Sequence, residues 1–199
     1  MASLKGQFRF DVTKHLYHVG QTRLPSITQV IAGAAEPSAA SAFYTPEARA
    51  RGSLVHALTA TYDLTGLWPS EVPADVLPRL AAYASFLGAA MPVWEAIEVP
   101  LVSRRWKFAG TPDRVGTLQR QPVVVDLKCG GPDPSQGVQT AAQVILVDGS
   151  KGPGQRVYVR HRYTLHLRDD GTYRLVEWSD PADYDLWWWS LSQHNQKEN

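Results

Sequence analysis

The chain has 199 residues, 44% of them apolar, with 20 Lys/Arg against 19 Asp/Glu and a formal charge of +1. Its one cysteine, Cys129, excludes an internal disulfide, a multi-cysteine zinc site and a cysteine-ligated iron–sulfur cluster. No apolar run approaches the roughly 20 residues of a membrane helix, and the opening MASLKGQFRF lacks the apolar stretch of a signal peptide. A cytoplasmic protein with no membrane partner is the expectation, and one domain fits the length.

Charge is distributed unevenly. Residues 101–168 carry eleven Lys/Arg and four acids, a surplus of seven basic charges. A basic face suits a polyanion, provided a motif inside that segment supports it.

Residues 8–20 alternate loosely and end at Gly20, which predicts a strand or hairpin. Ser26 or Thr28 can cap a short helix through Val30 and Ile31. Residues 33–42 are rich in Ala, Ser, Gly and Pro and read as a loop or linker. Thr45-Pro46-Glu47 is a strong helix start, because Thr can cap, Pro suits the first position and Glu favours the positive end of the dipole. That helix is expected from Pro46 to Leu64, with Gly66 just past its end and Val55, Leu58 and Tyr62 on one stripe. A second helix fits Ala74 to Ala90, with Leu77, Leu80, Ala81, Ala84 and Leu87 inward.

The period then changes from helical to alternating. Trp94–Val102, Trp106–Thr117 and Val123–Lys128 read as strands, with turns at Arg104-Arg105 and Gln119–Gln121. Gly130–Gly137 reads as a loop and Val138–Val147 as a helix. Arg156–Leu167 and Tyr173–Trp178 are strands joined by the turn signal Asp169-Asp170-Gly171. The expected layout is one domain over 1–191, with a helical part at about 21–90 and a sheet at about 94–178, then a polar, frayed tail over 192–199. Such an order implies an α/β or α+β layered domain.

The chemistry concentrates on two strands. Asp126 and Lys128 are two residues apart and share one strand face, while Leu127 points into packing. A short connection makes the preceding strand an antiparallel neighbour, so Asp113 can lie beside Asp126. Two carboxylates suit Mg²⁺ or Mn²⁺, which polarise phosphoryl oxygens and activate water. Lys128 can then orient the attacking water or neutralise charge growing on the phosphate.

Pro112-Asp113 followed by Asp126-Leu127-Lys128 resembles the PD-(D/E)xK nucleases, and within them the RecB-like exonuclease branch. Leu24–Ile31 is similar to that branch's N-terminal PSVT segment, Arg51–His56 to its RGxxxH helix, and Gln139–Gln143 to its QxxxY helix with Gln143 in place of Tyr. The resemblance spans residues 16–147. It implies a restriction-endonuclease-like core, that is, a central mixed sheet flanked by helices. It also implies a Mg²⁺- or Mn²⁺-dependent DNA exonuclease of recombination, repair or phage DNA processing. His56, Asp113, Asp126 and the Leu127 carbonyl would hold the ion, with Glu98 as a weaker candidate. Lys128, Asp113, Asp126 and Gln139 would act in catalysis, while Arg49, Arg51, Arg104, Arg105, Lys107 and Gln143 would contact DNA. A helicase, polymerase or single-strand-binding protein is a conceivable partner, since no GxxxxGK[ST] motif is present for ATP-driven unwinding. An endonuclease on the same scaffold and an inactive DNA-binding or assembly module remain alternatives.

Some residues read as structural. Cys129 is expected in packing, Trp187–Trp189 docked on the core, and His15, His18, His161, His166 and His194 structural or solvated.

Overall fold

The structure is a computed structural model that describes residues 5–34, 45–150 and 158–197. The chain begins with strands β1 (Phe8–Asp11), β2 (Leu16–Val19) and β3 (Thr22–Leu24), which form a small antiparallel sheet. Helix α1 (Ile27–Ala34) follows. Its cap is Ser26, whose Oγ accepts from the Gln29 amide at 3.1 Å while the Gln29 side chain accepts from the Ser26 amide at 3.0 Å. This reciprocal box satisfies two donors at once. The expected loop over 33–42 lies mostly outside the described residues, and its first two residues close α1.

Helix α2 (Pro46–Thr65) starts and ends as its sequence predicts. Thr45 Oγ1 accepts from the Ala48 amide at 3.2 Å, and Gly66 closes the helix in the left-handed conformation. Helix α3 (Leu77–Ala90) begins three residues later than expected. Its inner face is also rotated: Leu80, Tyr83 and Phe86 are buried, whereas Leu77, Ala81 and Ala84 are exposed. Turning inward the face that holds Tyr83 and Phe86 removes far more apolar area from water than a face built on alanines would.

The remaining elements are β4 (Val93–Ile97), β5 (Leu101–Ser103), β6 (Phe108–Gly110), β7 (Arg114–Leu118), β8 (Gln121–Lys128), α4 (Ser135–Ser150), β9 (His161–Leu167), β10 (Tyr173–Glu177) and α5 (Ala182–Lys197). The start of the expected strand at Arg156 lies outside the described residues. The stretch expected as a frayed tail is helical as far as Lys197. Trp187 is fully buried against Phe108 and Trp188 packs on Trp106, which ties α5 down, while Trp189 stays exposed. Among the described residues no helix is long and apolar enough to cross a membrane.

Five strands form the central sheet, in the order β10-β9-β8-β7-β4. All neighbours are antiparallel except β8 and β9, which run parallel with α4 as the connection between them. Strand β8 is therefore central. Its Val123, Val125 and Leu127 point into a core shared with α2 and α3, and Val124 packs against Val144 and Val147 of α4. By the pleat, Asp126 and Lys128 share the α4 side. A mixed sheet with helices on both faces is thus present, as the sequence pattern and the resemblance implied.

Candidate active site

Strand pairing brings the acids to one end of the sheet. The β4–β7 register pairs Ile97 with Arg114, and the next residue, Glu98, donates its amide to the Asp113 carbonyl at 3.0 Å. The β7–β8 register pairs Arg114 with Val125, and there the Asp113 Oδ2 accepts from the Leu127 amide at 2.6 Å. Glu98, Asp113 and the Asp126–Lys128 segment therefore sit on three adjacent strands. Glu98 has φ 51°, in the left-handed region.

Helix α2 supplies the fourth element. His56 Nε2 lies 3.1 Å from the Leu127 carbonyl, which can only accept, so Nε2 carries the proton. Nδ1 then faces Glu98 Oε1 at 3.4 Å and Asp113 Oδ1 at 3.5 Å. One donor atom from each of His56, Glu98 and Asp113 lies within 4.8 Å of the others. Burial pushes the imidazole down, but the Asp113 and Glu98 carboxylates together lift it well above its usual value. Asp113, although buried, is held below the ordinary carboxylate range by His56, Lys128 and the Leu127 amide. In the metal-free chain a proton on Nδ1 thus occupies a place that a cation can take. One imidazole and two carboxylates suit Mn²⁺ or Mg²⁺, the former tolerating mixed nitrogen and oxygen ligation.

Asp126 and Lys128 form an adjoining cluster on the α4 side. Lys128 Nζ is 2.5 Å from Asp126 Oδ2 and donates to Gln139 Oε1 at 3.0 Å. Asp126 Oδ1 accepts from Gln139 Nε2 at 2.8 Å and from Gln143 Nε2 at 2.7 Å. Burial raises the Asp126 carboxyl, Lys128 opposes the rise and Asp113 adds to it. Asp113 and Asp126 are therefore electrostatic neighbours, but their side chains engage different partners. The Leu127 carbonyl, expected as an ion ligand, here accepts from His56.

The expected DNA contacts divide. Arg49 is exposed and Arg51 half-buried at the start of α2. Among the described residues, a Cβ on Gly52 would meet nothing within 4 Å. Arg104, Arg105 and Lys107 lie in the β5–β6 turn, on a hairpin that packs against α4 and α1. Arg104 bonds to the Gly6 carbonyl and Arg105 covers Trp106. Gln143 is a correction: it is 2% exposed and spends its amide on Asp126, so it faces the site from beneath rather than a ligand from outside. Cys129 packs at the edge of the core as expected, its thiol pushed up by burial.

Sequence reasoning missed what holds this end of the sheet together. Arg114 is fully buried. It donates through Nε to Asp63 at 2.6 Å, through Nη2 to Thr59 at 3.1 Å, and through Nη1 to the Asp113 carbonyl at 2.8 Å and to Glu98 at 3.4 Å. Tyr83 donates its hydroxyl to the same Asp63 oxygen at 2.5 Å, and burial pushes this phenol up so that it stays protonated. The spacing of His56, Thr59 and Asp63, three and then four residues apart, was the available signal: it places all three on one face of α2.

No protein-family model and no curated protein matches the chain. Solved structures do. The chain is similar in fold to an alkaline exonuclease, LHK-Exo, from Laribacter hongkongensis, with 15% identity, coverage of 84% of each chain and a TM-score of 0.46. LHK-Exo in complex with dAMP gives 15% identity, 87% coverage of each chain and a TM-score of 0.39. Likeness at this level assigns no function; the residues have to do so.

Proposed function

We propose that the chain is a metal-dependent deoxyribonuclease, and more narrowly an exonuclease acting in recombination, repair or phage DNA processing. The observation that carries this reading is the convergence of His56, Glu98 and Asp113 beside a buried Asp126 paired with a half-buried Lys128. His56, Glu98 and Asp113 would hold one divalent cation, Mg²⁺ or Mn²⁺, with Asp126 and the Leu127 carbonyl next to it. Such an ion supplies Lewis acidity toward a phosphoryl oxygen and toward water. Lys128 provides positive charge where the phosphate becomes more negative. Gln139 fixes both members of the Asp126–Lys128 pair, because its amide donates to one and accepts from the other. Gln143 completes the carboxylate's coordination from below.

The test is a cleavage panel of end-labelled linear DNA, single-stranded and duplex, beside closed circles, each with Mg²⁺, Mn²⁺ or Ca²⁺. Linear substrates should be degraded from an end, with Mn²⁺ at least as effective as Mg²⁺. Ca²⁺ should permit binding without turnover, since it is larger and more loosely coordinated. Asp113→Asn should remove the activity. Cutting of closed circles would move the reading to an endonuclease. No cleavage of any DNA form with any of the three ions would refute the deoxyribonuclease and favour an inactive DNA-binding or assembly module.

A further inference from the structure

A second site lies just beyond the Asp126–Lys128 segment. There a pocket of about 270 Å³ is lined by Arg79, Arg168 and Arg174, together with Cys129, Gly130, Gly131 and His166. The lining thus holds three arginines and one carboxylate, Asp169. Gly130 lies two residues past Lys128, roughly 7 Å along an extended chain.

Arg79 is the telling residue. It is 7% exposed, and among the described residues its Nε has no hydrogen-bond partner. Its Nη1 reaches the Asp75 carbonyl only at 3.3 Å, and its Nη2 lies 3.8 Å from Asp169, whose side chain is 81% exposed. The Nε is sealed from solvent, so the edge of the guanidinium that a ligand in the pocket can meet is the Nη2 side, next to Asp169. The Arg fork matches phosphate oxygens well.

The opposite wall is bare backbone held in place. A Cβ on Gly130 or Gly131 would meet nothing within 4 Å, so no crowding demands glycine at either position. His166 lies with Nδ1 2.6 Å from the Gly130 carbonyl and Nε2 2.9 Å from Thr164 Oγ1, which in turn accepts from Trp178 Nε1 at 3.0 Å. The carbonyl can only accept, so Nδ1 carries a proton; burial holds the imidazole below its ordinary value, which leaves Nε2 to accept from the Thr164 hydroxyl. His166 therefore anchors the loop as a neutral group, and the positive charge of the pocket belongs to the arginines.

We propose that this pocket is a phosphate-binding subsite that seats a phosphate of the nucleic-acid strand adjacent to the one at the candidate active site. The strand as the source of that phosphate rests on the nuclease reading; the affinity for phosphate does not. Arg168 and Arg174 are exposed on the β9–β10 hairpin, so Arg168→Gln and Arg174→Gln leave the core intact.

The experiment uses the whole chain in EDTA. Inorganic phosphate is titrated calorimetrically, and single-stranded oligonucleotides with and without a 5′-phosphate are titrated by anisotropy at several salt concentrations. Wild type should bind phosphate saturably, and Arg174→Gln should weaken that binding tenfold or more with an unchanged unfolding midpoint. For the oligonucleotides, Arg174→Gln should make the salt dependence shallower by about 1 in log–log slope. A preference for the 5′-phosphorylated oligonucleotide in wild type would identify a terminal phosphate, and equal affinity an internal one; either supports the subsite. Phosphate binding that is absent in wild type, or unchanged in both variants, overturns it. Oligonucleotide binding that ignores Arg174→Gln while inorganic phosphate binding is lost would make the ligand a free phosphate and overturn the strand assignment. A failed cleavage panel with phosphate binding intact would strike the nuclease reading, and the strand as source with it, and leave the phosphate site standing.

Discussion

Asp63→Ala is the most informative perturbation of the buried network behind the site. Arg114 and Asp63 are paired at 2.6 Å with side chains 0% and 3% exposed. Removing the carboxylate leaves the guanidinium in the interior. Its remaining charged partner is Glu98 at 3.4 Å, and Tyr83 loses its acceptor as well. Breaking a buried pair by deleting one member costs about 3–5 kcal/mol. Total stability for a domain is about 5–15 kcal/mol, so the variant should stay folded near room temperature with little margin. At about 2–4 °C per kcal/mol for a chain of this size, the melting midpoint should fall by roughly 6–20 °C. Arg114 should also turn more fully to Glu98, so Mn²⁺ affinity should drop. Urea unfolding with calorimetry on the same samples measures both. Tyr83→Phe is the control: it keeps the ion pair, should cost only about 1 kcal/mol, and should leave Mn²⁺ affinity alone. A loss below about 1 kcal/mol for Asp63→Ala would refute the claim that this pair anchors the site.

Lys128→Ala should lower the single-turnover rate by about 10²–10⁴-fold while leaving Mn²⁺ affinity near wild type; if it abolishes ion binding, Lys128 is a structural cation rather than a catalytic one. Because the carboxylates raise His56 well above its ordinary value near 6.5, Mn²⁺ binding at neutral pH should release a proton, read by calorimetry in buffers of different ionisation enthalpy. In the metal-free protein the same shift contributes stability that is complete below about pH 6.5 and lost as pH climbs through the raised value, so His56→Ala should flatten stability against pH there. Gly116→Ala should destabilise strongly, since its Cβ would lie 2.1 Å from the Val93 carbonyl oxygen and force β4 from β7; a melting point within a degree or two of wild type would contradict the tight β4–β7 approach.

Local signals were readable in the sequence where chemistry and geometry are local. Thr45, Pro46 and Gly66 delimit α2 through capping, and the two-residue period of β8 separates Asp126 and Lys128 from Leu127. The α3 face was misread because apolar spacing alone does not weigh two aromatic rings against small alanines. Gln143 reads as a surface amide on its own; burial comes from the packing of α4 on β8, a contact between distant parts of the chain. Arg79 and Arg114 look like solvated arginines for the same reason. Their partners Asp169 and Asp63 are 90 and 51 residues away, and no period encodes that distance.

Glu98 carries a consequence for how such a protein can change. Its left-handed backbone, φ 51°, suits Gly or Asn, and other side chains forgo about 1–2 kcal/mol there. Variants selected for robustness alone, by surviving heat or protease without any demand for activity, should therefore drift toward Gly or Asn at this position wherever that gain exceeds the loss of the 3.4 Å ion pair with Arg114. Each such gain would delete one of the three converging donors. On the proposed ion site, folding and chemistry thus make opposed demands on a single residue, and hardening the protein at Glu98 would disarm it.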